Sequence, residues 1–434
     1  MRKRLTLFLA SLICTAMWTG PTAAQQREEV LIPYQGPSDP TLDSRTLDGR
    51  VMVGYQGWFN CEGDGADLGW THWAKRREQQ FAPGNIGVDL WPDVSEFEDA
   101  GELYATGFHF PDGTPAKVFS SHDRETVLRH FQWMRDYGID GAFVQRFANG
   151  LKDENLRDHK DKVLSSAREG ANRFGRTYCV MYDLSGIRDE QTPDVFADWR
   201  MLRDRMQINQ DPAYQHHRGK PLVAIWGVGF SDPHKSRPDL QHCQELIQQF
   251  KADGCSVMLG VPTGWREQVR DASRDSNLHA VLGLADVISP WSVGRFADLA
   301  GVDRHADQFW QPDVVRTAER DQDYMPVIFP GFSWHHLKGD QLDAIPRLKG
   351  QFMWSQVVAS KRAGCQMLYI AMFDEVDEGT AIFKCSPGPP TQGDTPFLDF
   401  GDLPSDHYLR IAEQAGKLYR DEIPVKETLP ARLP

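Results

Sequence analysis

The sequence predicts a single α/β domain, a (β/α)8 TIM barrel with a long loop after its first strand and a helix at its C-terminus. Three observations lead there. From about residue 139 onward, short apolar runs alternate with stretches of helical periodicity, the pattern of a parallel sheet. With one earlier run near residue 50 the apolar stretches number eight, which favours a closed ring over an open doubly wound sheet. No Gly-x-Gly-x-x-Gly follows the first strand, so a dinucleotide-binding sheet has no support.

The first strand is expected at 50–59, Arg-Val-Met-Val-Gly-Tyr-Gln-Gly-Trp-Phe. A loop to about residue 120 carries Trp70, His72, Trp73, Trp91 and His109. Its frequent Gly, Pro and Asp argue against regular structure. A helix is expected at 126–137. Strands then fall at 139–147, 177–184, 222–230, 255–262, 286–291, 325–332 and 367–372. Helices fill the intervals at 155–174, 193–206, 238–251, 267–282, 306–320 and 348–363, with Pro193 tolerated near the start of its helix. A terminal helix follows at 404–420. The polar segment 25–49 wraps the outside, 50–422 forms the catalytic barrel, and the Pro-containing tail 423–434 is loose.

Residues 1–24 have the pattern of a cleaved export signal. Arg2, Lys3 and Arg4 precede an apolar core at 5–18, and Thr22-Ala23-Ala24 supplies small residues for cleavage after Ala24. The core is too short for a stable membrane span. The expected location is the periplasm or the medium. Loss of that segment leaves 45 basic against 61 acidic side chains, a net −16. Such a chain repels nucleic acid and anionic membranes. Six cysteines remain, in no zinc-binding spacing, and no cofactor motif is visible.

In a barrel of this kind, functional residues gather at the carboxyl ends of the strands. Those positions offer Tyr55, Gln56 and Trp58, then Gln145 and Arg146, Tyr182 and Asp183, and Trp226. Trp265 and Arg266, Trp291 and Arg295, and Trp334, His335 and His336 follow. The eighth run, Gln-Met-Leu-Tyr-Ile-Ala-Met-Phe, ends in four carboxylates within five residues: Asp374, Glu375, Asp377 and Glu378. Clustered acids after a buried strand suit acid/base chemistry, because packed walls shift pKa values. Glu375 and Glu378 are three apart and on one helical turn point the same way. Aromatic rings for sugar faces, polar forks for hydroxyls and a pair of acids for the glycosidic bond make up the inventory of a carbohydrate site. The candidate catalytic residues are Glu375 and Glu378. The candidate glycan-binding residues are Tyr55, Trp58, Arg146, Tyr182, Asp183, Trp226, Trp265, Trp291, Trp334, His335, Asp374 and Asp377.

The segment Phe373-Asp374-Glu375-Val376-Asp377-Glu378-Gly379-Thr380 resembles the Asn-Glu-Trp-His-Glu-Gly-Thr stretch of family 99 glycoside hydrolases, the endo-α-mannosidases, and the wider family 71/99-like group. Val53 to Phe59 and Tyr137 to Phe143 are similar to that group as well. The resemblance implies a retaining endo-glycosidase on an eight-stranded barrel. By it, Glu375 is the base acting on the sugar's own 2-hydroxyl while that oxygen attacks the anomeric carbon, giving a 1,2-anhydro sugar. Glu378 is then the general acid/base for the leaving oxygen and the incoming water. Where the family has Asn, Trp and His, this chain has Asp374, Val376 and Asp377. That departure changes the wall nearest the pair, so the sugar stays unassigned.

Two further expectations concern neighbours of the site. Cys61 and Cys385 each follow one of two adjacent strands, the first and the eighth, and are expected to form a disulfide. The acids around Asp374 and Asp377 could hold calcium, although their spacing fits no known loop and the expectation is no metal. The leading function is an exported glycosidase acting on a polysaccharide or glycan. The alternative is a non-hydrolytic carbohydrate-binding protein on the same barrel. A metal-dependent hydrolase is the weakest, since the first strand has no His-x-His.

Overall fold

The computed structural model describes residues 29–97, 101–232, 236–391 and 395–429. The export signal expected at 1–24 lies outside the described residues, as do residues 430–434 of the tail. Eight parallel strands run in chain order around the sheet. Strands one to six are Val51–Tyr55, Gly141–Phe147, Thr177–Asp183, Lys220–Trp226, Ser256–Pro262 and Val287–Trp291, and strand eight is Leu368–Ile370. Strands one, three and five are buried at every position, as expected when side chains point alternately into the barrel and under the helices.

Strand seven is split, and the split closes the ring. Asp323–Tyr324 pairs with strand six, and Val327–Ile328 pairs with strand eight. Pro326 between them has no N–H to give the ladder, so one continuous strand cannot serve both neighbours. Its carbonyl still accepts from Tyr369 N at 3.0 Å. Strand one sits between strands eight and two, with Val53 opposite Ile370 on one side and Ala142 on the other. The terminal helix His407–Tyr419 packs its buried face, including Leu409, Ile411, Ala412 and Ala415, beside the helix Gln351–Arg362. Ser360 and Tyr419 join their hydroxyls there at 2.7 Å.

Three expected elements differ. The loop after strand one contains an antiparallel hairpin, Tyr104–His109 with Pro115–Val118, turning at Gly113 in the left-handed region. Few alternating apolar residues mark it, which is why it reads as loop. The helix expected at 267–282 is helical only at Leu278–Leu282, because Gln268 and Arg270 have positive φ and break any earlier turn. The helix expected at 306–320 begins at Leu299, widens into a π-helical stretch at Ala306–Trp310 and finishes as Gln311–Ala318.

The long loop folds over its own aromatic core. Phe81 stacks on Trp91 at 5.4 Å, and Trp73 packs with Phe59, Phe81 and Phe119. Trp70, Trp73 and Trp91 are buried there, among one another and the neighbouring rings. The same core decides the cysteines. Cys61 and Cys385 are separate buried thiols, and the expected disulfide is not formed. Cys61 donates its thiol to the Phe119 carbonyl, and the Phe119 ring packs edge-on against Phe383. Cys385 is drawn to the opposite side, its N–H bonded to Ser405 and its backbone bridged to Pro92.

Candidate active site

Past strand eight the chain is tied to its neighbours before it turns. Ala371 N donates to Ile328 O and Phe373 N to Gly54 O, each at 2.8 Å. Asp374 then accepts from Gln56 N and Gly57 N, one on each oxygen, both at 2.8 Å. Burial pushes its pKa up to about 7, and those two N–H groups hold part of that rise back. Asp374 has no exposed surface and both oxygens are occupied, so it fastens strand eight to strand one and cannot bind sugar as expected.

That fastening sets the next residue. Glu375 accepts from the Gln56 amide at 2.7 Å on one oxygen and from the Thr380 hydroxyl at 2.7 Å on the other. Burial raises its proton affinity well above that of an ordinary glutamate. The nearby Glu378 and Asp377 raise it further, while Thr380 and Gln56 oppose the shift. Val376 is buried, and Asp377 turns away from the cleft, its Oδ2 lying 2.8 Å from His72 Nδ1. Glu378 is half-buried, and its carbonyl accepts from Ser333 N. Gly379 follows at φ +63°, where a Cβ would press on Ser333 at 3.0 Å. Arg347 donates to the carbonyls of Gly379 and Ala381 and locks the turn.

Glu375 and Glu378 line one cleft of about 630 Å3 at the carboxyl ends of the strands. Trp58, Asp183, Trp226, Trp291 and Trp334 of the expected binding residues also line it. The rest do not. Side chains alternate along a strand, so at the end of strand two Gln145 points in and Arg146 points out. Arg146 is buried behind the sheet, bonded to Asp161 at 2.9 Å and to Asp198 at 2.8 Å. Tyr182 points out likewise and donates to Asp198 at 2.7 Å. Tyr55 is buried against His130, 2.9 Å from its Nδ1. Trp265 is buried with its N–H on Asp313 at 3.0 Å. His335 lines a separate depression of about 230 Å3 with His336 and Lys75, its Nδ1 2.8 Å from the Asp340 carbonyl. Asp374 gives both of its oxygens to backbone N–H groups, and Asp377 gives one oxygen to His72.

The aromatic residues differ in what they offer. Trp58 lies between His72, stacked at 3.7 Å and 4°, and Phe147, stacked at 5.3 Å and 28°. It therefore presents an edge to the cleft. Trp226 carries the Arg237 guanidinium 5.3 Å from its centroid, and Arg237 also sits 4.7 Å from that of Phe230. Trp291 meets Trp226 edge-on, and Trp334 tilts against Phe332. Six carboxylates line the cleft against two arginines, and Arg295 is already paired with Asp271 at 2.7 Å. The acidic wall therefore disfavours an anionic ligand.

Phe147, Phe230, Asp232, Arg237, Asp271 and Asp340 also line the cleft and escape the sequence reading. Phe147 shares its inward parity with Gln145 and was legible by alternation. The others lie beyond strand ends, where no period applies. Among the described residues, the one grouping with metal-ligand spacing is Asp189, Asp239 and His242, and none of these lines the cleft.

No protein-family model matches the sequence, and no curated protein matches it. Solved structures do match. The GH99 endo-alpha-mannosidase from Bacteroides thetaiotaomicron superposes with a TM-score of 0.62 at 15% identity, over 87% of this chain and 99% of that one. The fold is theirs. The same enzyme in complex with bis-tris-propane gives 0.60 at 16% identity, over 87% of this chain and 99% of that one. A glycoside hydrolase-like protein gives 0.51 at 14% identity, over 90% of this chain and 98% of that one. The expected (β/α)8 barrel is thus the observed fold, and the likeness spans nearly the full length of those chains.

Proposed function

We propose that the chain is an exported glycoside hydrolase that cleaves within a polysaccharide or glycan and retains the anomeric configuration. Residues 1–24 are its cleaved export signal, 25–49 its outer wrap, 50–422 its catalytic barrel and 423–434 its tail. The observation that carries the reading is the pair Glu375 and Glu378, on one turn after strand eight, facing the same aromatic-lined cleft. The full-length likeness to an endo-alpha-mannosidase barrel supports the reaction class.

Two carboxylates so close repel each other, so the pair titrates as a unit and keeps a proton that one isolated glutamate would lose. The reaction needs that proton on Glu378 and a bare carboxylate at Glu375. The hydrogen bonds that Gln56 and Thr380 donate to Glu375 favour this distribution once a glycosidic oxygen can accept from Glu378. Glu375 takes the 2-hydroxyl proton as O2 bonds to C1, and the bond from C1 to the leaving oxygen breaks as Glu378 protonates that oxygen. Water then loses a proton to Glu378 and adds to C1. The C1–O2 bond opens, and O2 recovers its proton from Glu375.

The test is release of reducing ends from a panel of α- and β-linked polysaccharides by the protein from Gln25 onward, with Glu375→Gln and Glu378→Gln alongside. Cleavage by the parent that both variants lose supports the reading. Cleavage that both variants keep overturns the assignment of the pair, and glycan binding without cleavage favours the binding protein.

A further inference from the structure

Where the resembling motif has a histidine, this chain places Asp377, and the fold brings an imidazole back from elsewhere. His72 reaches over from the long loop after strand one, 305 positions away in sequence, and meets Asp377 at 2.8 Å. Asp377 is 2% exposed, and among the described residues its second oxygen has no hydrogen-bond partner. His72 holds a left-handed backbone, φ +64°, a conformation that favours glycine and is maintained here by its surroundings. Those surroundings are specific. Thr71 O accepts from Asn60 N at 3.2 Å, Trp73 O accepts from Gly87 N at 2.8 Å, and the ring lies flat on Trp58. Trp58 in turn lines the cleft that Glu375 and Glu378 face.

We infer that His72 is a positioning residue for the Glu375/Glu378 pair: through Asp377 it anchors the turn that carries both glutamates, and it damps the Asp377 charge that bears on Glu375. The inference rests on the function proposed above. Asp377 occupies the position between the two glutamates, so any freedom at its side chain passes directly into the turn. Its carboxylate is also one of the two charges that raise the proton affinity of Glu375, the other being Glu378.

The groups facing Glu375 come from three elements. Strand eight contributes Tyr369, whose pKa burial raises and which therefore stays neutral. The turn contributes Asp374, Asp377 and Glu378. The segment after strand one contributes Gln56, which donates to Glu375, and His72 behind Asp377. His72 is thus the histidine placed to offset the acids of the turn. A hydrogen bond onto Asp377 draws charge density away from Glu375. Without it the field at Glu375 grows, and without the Asp377 charge the field shrinks.

The experiment follows the Glu375 carboxyl by carbon NMR through a pH titration, in the parent, His72→Ala and Asp377→Asn. The expected result is opposite displacement, with the titration of Glu375 moving up by about one unit in His72→Ala and down by a similar amount in Asp377→Asn. In steady-state kinetics, His72→Ala lowers kcat about tenfold with KM within twofold, and His72→Gln, which keeps a donor for Asp377, recovers most of it. Titrations that stay at the parent value, or move together, overturn the inference. If His72→Ala does not fold, His72→Phe takes its place in the titration, since it keeps a ring to lie on Trp58 and gives Asp377 no donor. The NMR result does not depend on turnover. Opposite displacements in a protein whose cleavage survives Glu375→Gln would therefore overturn the proposed catalytic pair and leave the His72 effect standing.

Discussion

The two walls of the cleft are built differently. On the strand-eight side, carboxylates are held by buried hydrogen bonds just past the strand ends: Asp374 by the N–H groups of Gln56 and Gly57, Glu375 by Gln56 and Thr380, and Glu378 through the turn that Ser333 and Arg347 fix. On the far side, Arg237 lies over the rings of Trp226 and Phe230, and Arg295 pairs with Asp271, which also accepts from the N–H groups of Thr263 and Gly264. A side chain fixed by buried hydrogen bonds has one position and a perturbed proton affinity, which is what proton transfer at fixed distance requires. A wall of stacked rings and partly exposed ions adjusts to its ligand at small cost, which suits recognition of a chain of similar sugar units. On the proposed function the first wall would set rate and the second affinity, a division that substitutions can break or sharpen.

The largest effect is expected on the fixed wall. Glu378→Gln and Glu375→Gln should each lower kcat by about 10³-fold with little change in glycan affinity, measured by kinetics and by calorimetric titration. Retention of turnover within tenfold in either variant would break the division. Next, Asp374→Ala strands two buried N–H groups and should cost about 3 kcal/mol in chemical denaturation, whereas Arg237→Ala should stay within about 1 kcal/mol of the parent. Equal losses would mean that the far wall is no looser than the near one. On that far wall, Trp291→Ala or Trp334→Ala should raise KM about tenfold while kcat stays within threefold. A kcat collapse there would assign these rings to catalysis.

The smallest effect is on stability against pH. Burial raises Asp374 and Asp313 to about 7, and both start from 3.8. With folded values above unfolded ones, the native state holds more protons in between. This contribution is complete below the unfolded values and is lost as pH rises through the folded ones. Four buried histidines, His122, His130, His159 and His305, whose pKa values burial lowers, contribute the opposite slope, so the check is a difference: between pH about 5 and about 8, Tm should rise more, or fall less, in Asp374→Asn than in the parent. The same pH dependence in Asp374→Asn and the parent would mean that the two N–H groups on Asp374 cancel the effect of its burial.

Eight apolar runs at helical intervals fix a ring of parallel strands, and that much was legible because burial on both faces writes itself as uninterrupted hydrophobicity. The place of the acidic turn was legible too, because four carboxylates directly after a buried strand mark its carboxyl end. Which strand-end residues enter the cleft was only half legible. Alternation separates Gln145 from Arg146 and Asp183 from Tyr182 once the register is known, and the sequence alone leaves that register open by one residue. Loops carry no period at all. The seating of Arg237 over Trp226, the burial of Trp70, Trp73 and Trp91 beneath their own hairpin, and the parting of Cys61 from Cys385 follow from packing between segments far apart in the chain. So does the meeting of His72 with Asp377. By itself the sequence determined the barrel and the identity of its acidic turn, because local pattern encodes burial. Only the tertiary structure decided which of those acids face the cleft and which fasten the turn, because that depends on donors the chain brings from three hundred residues away.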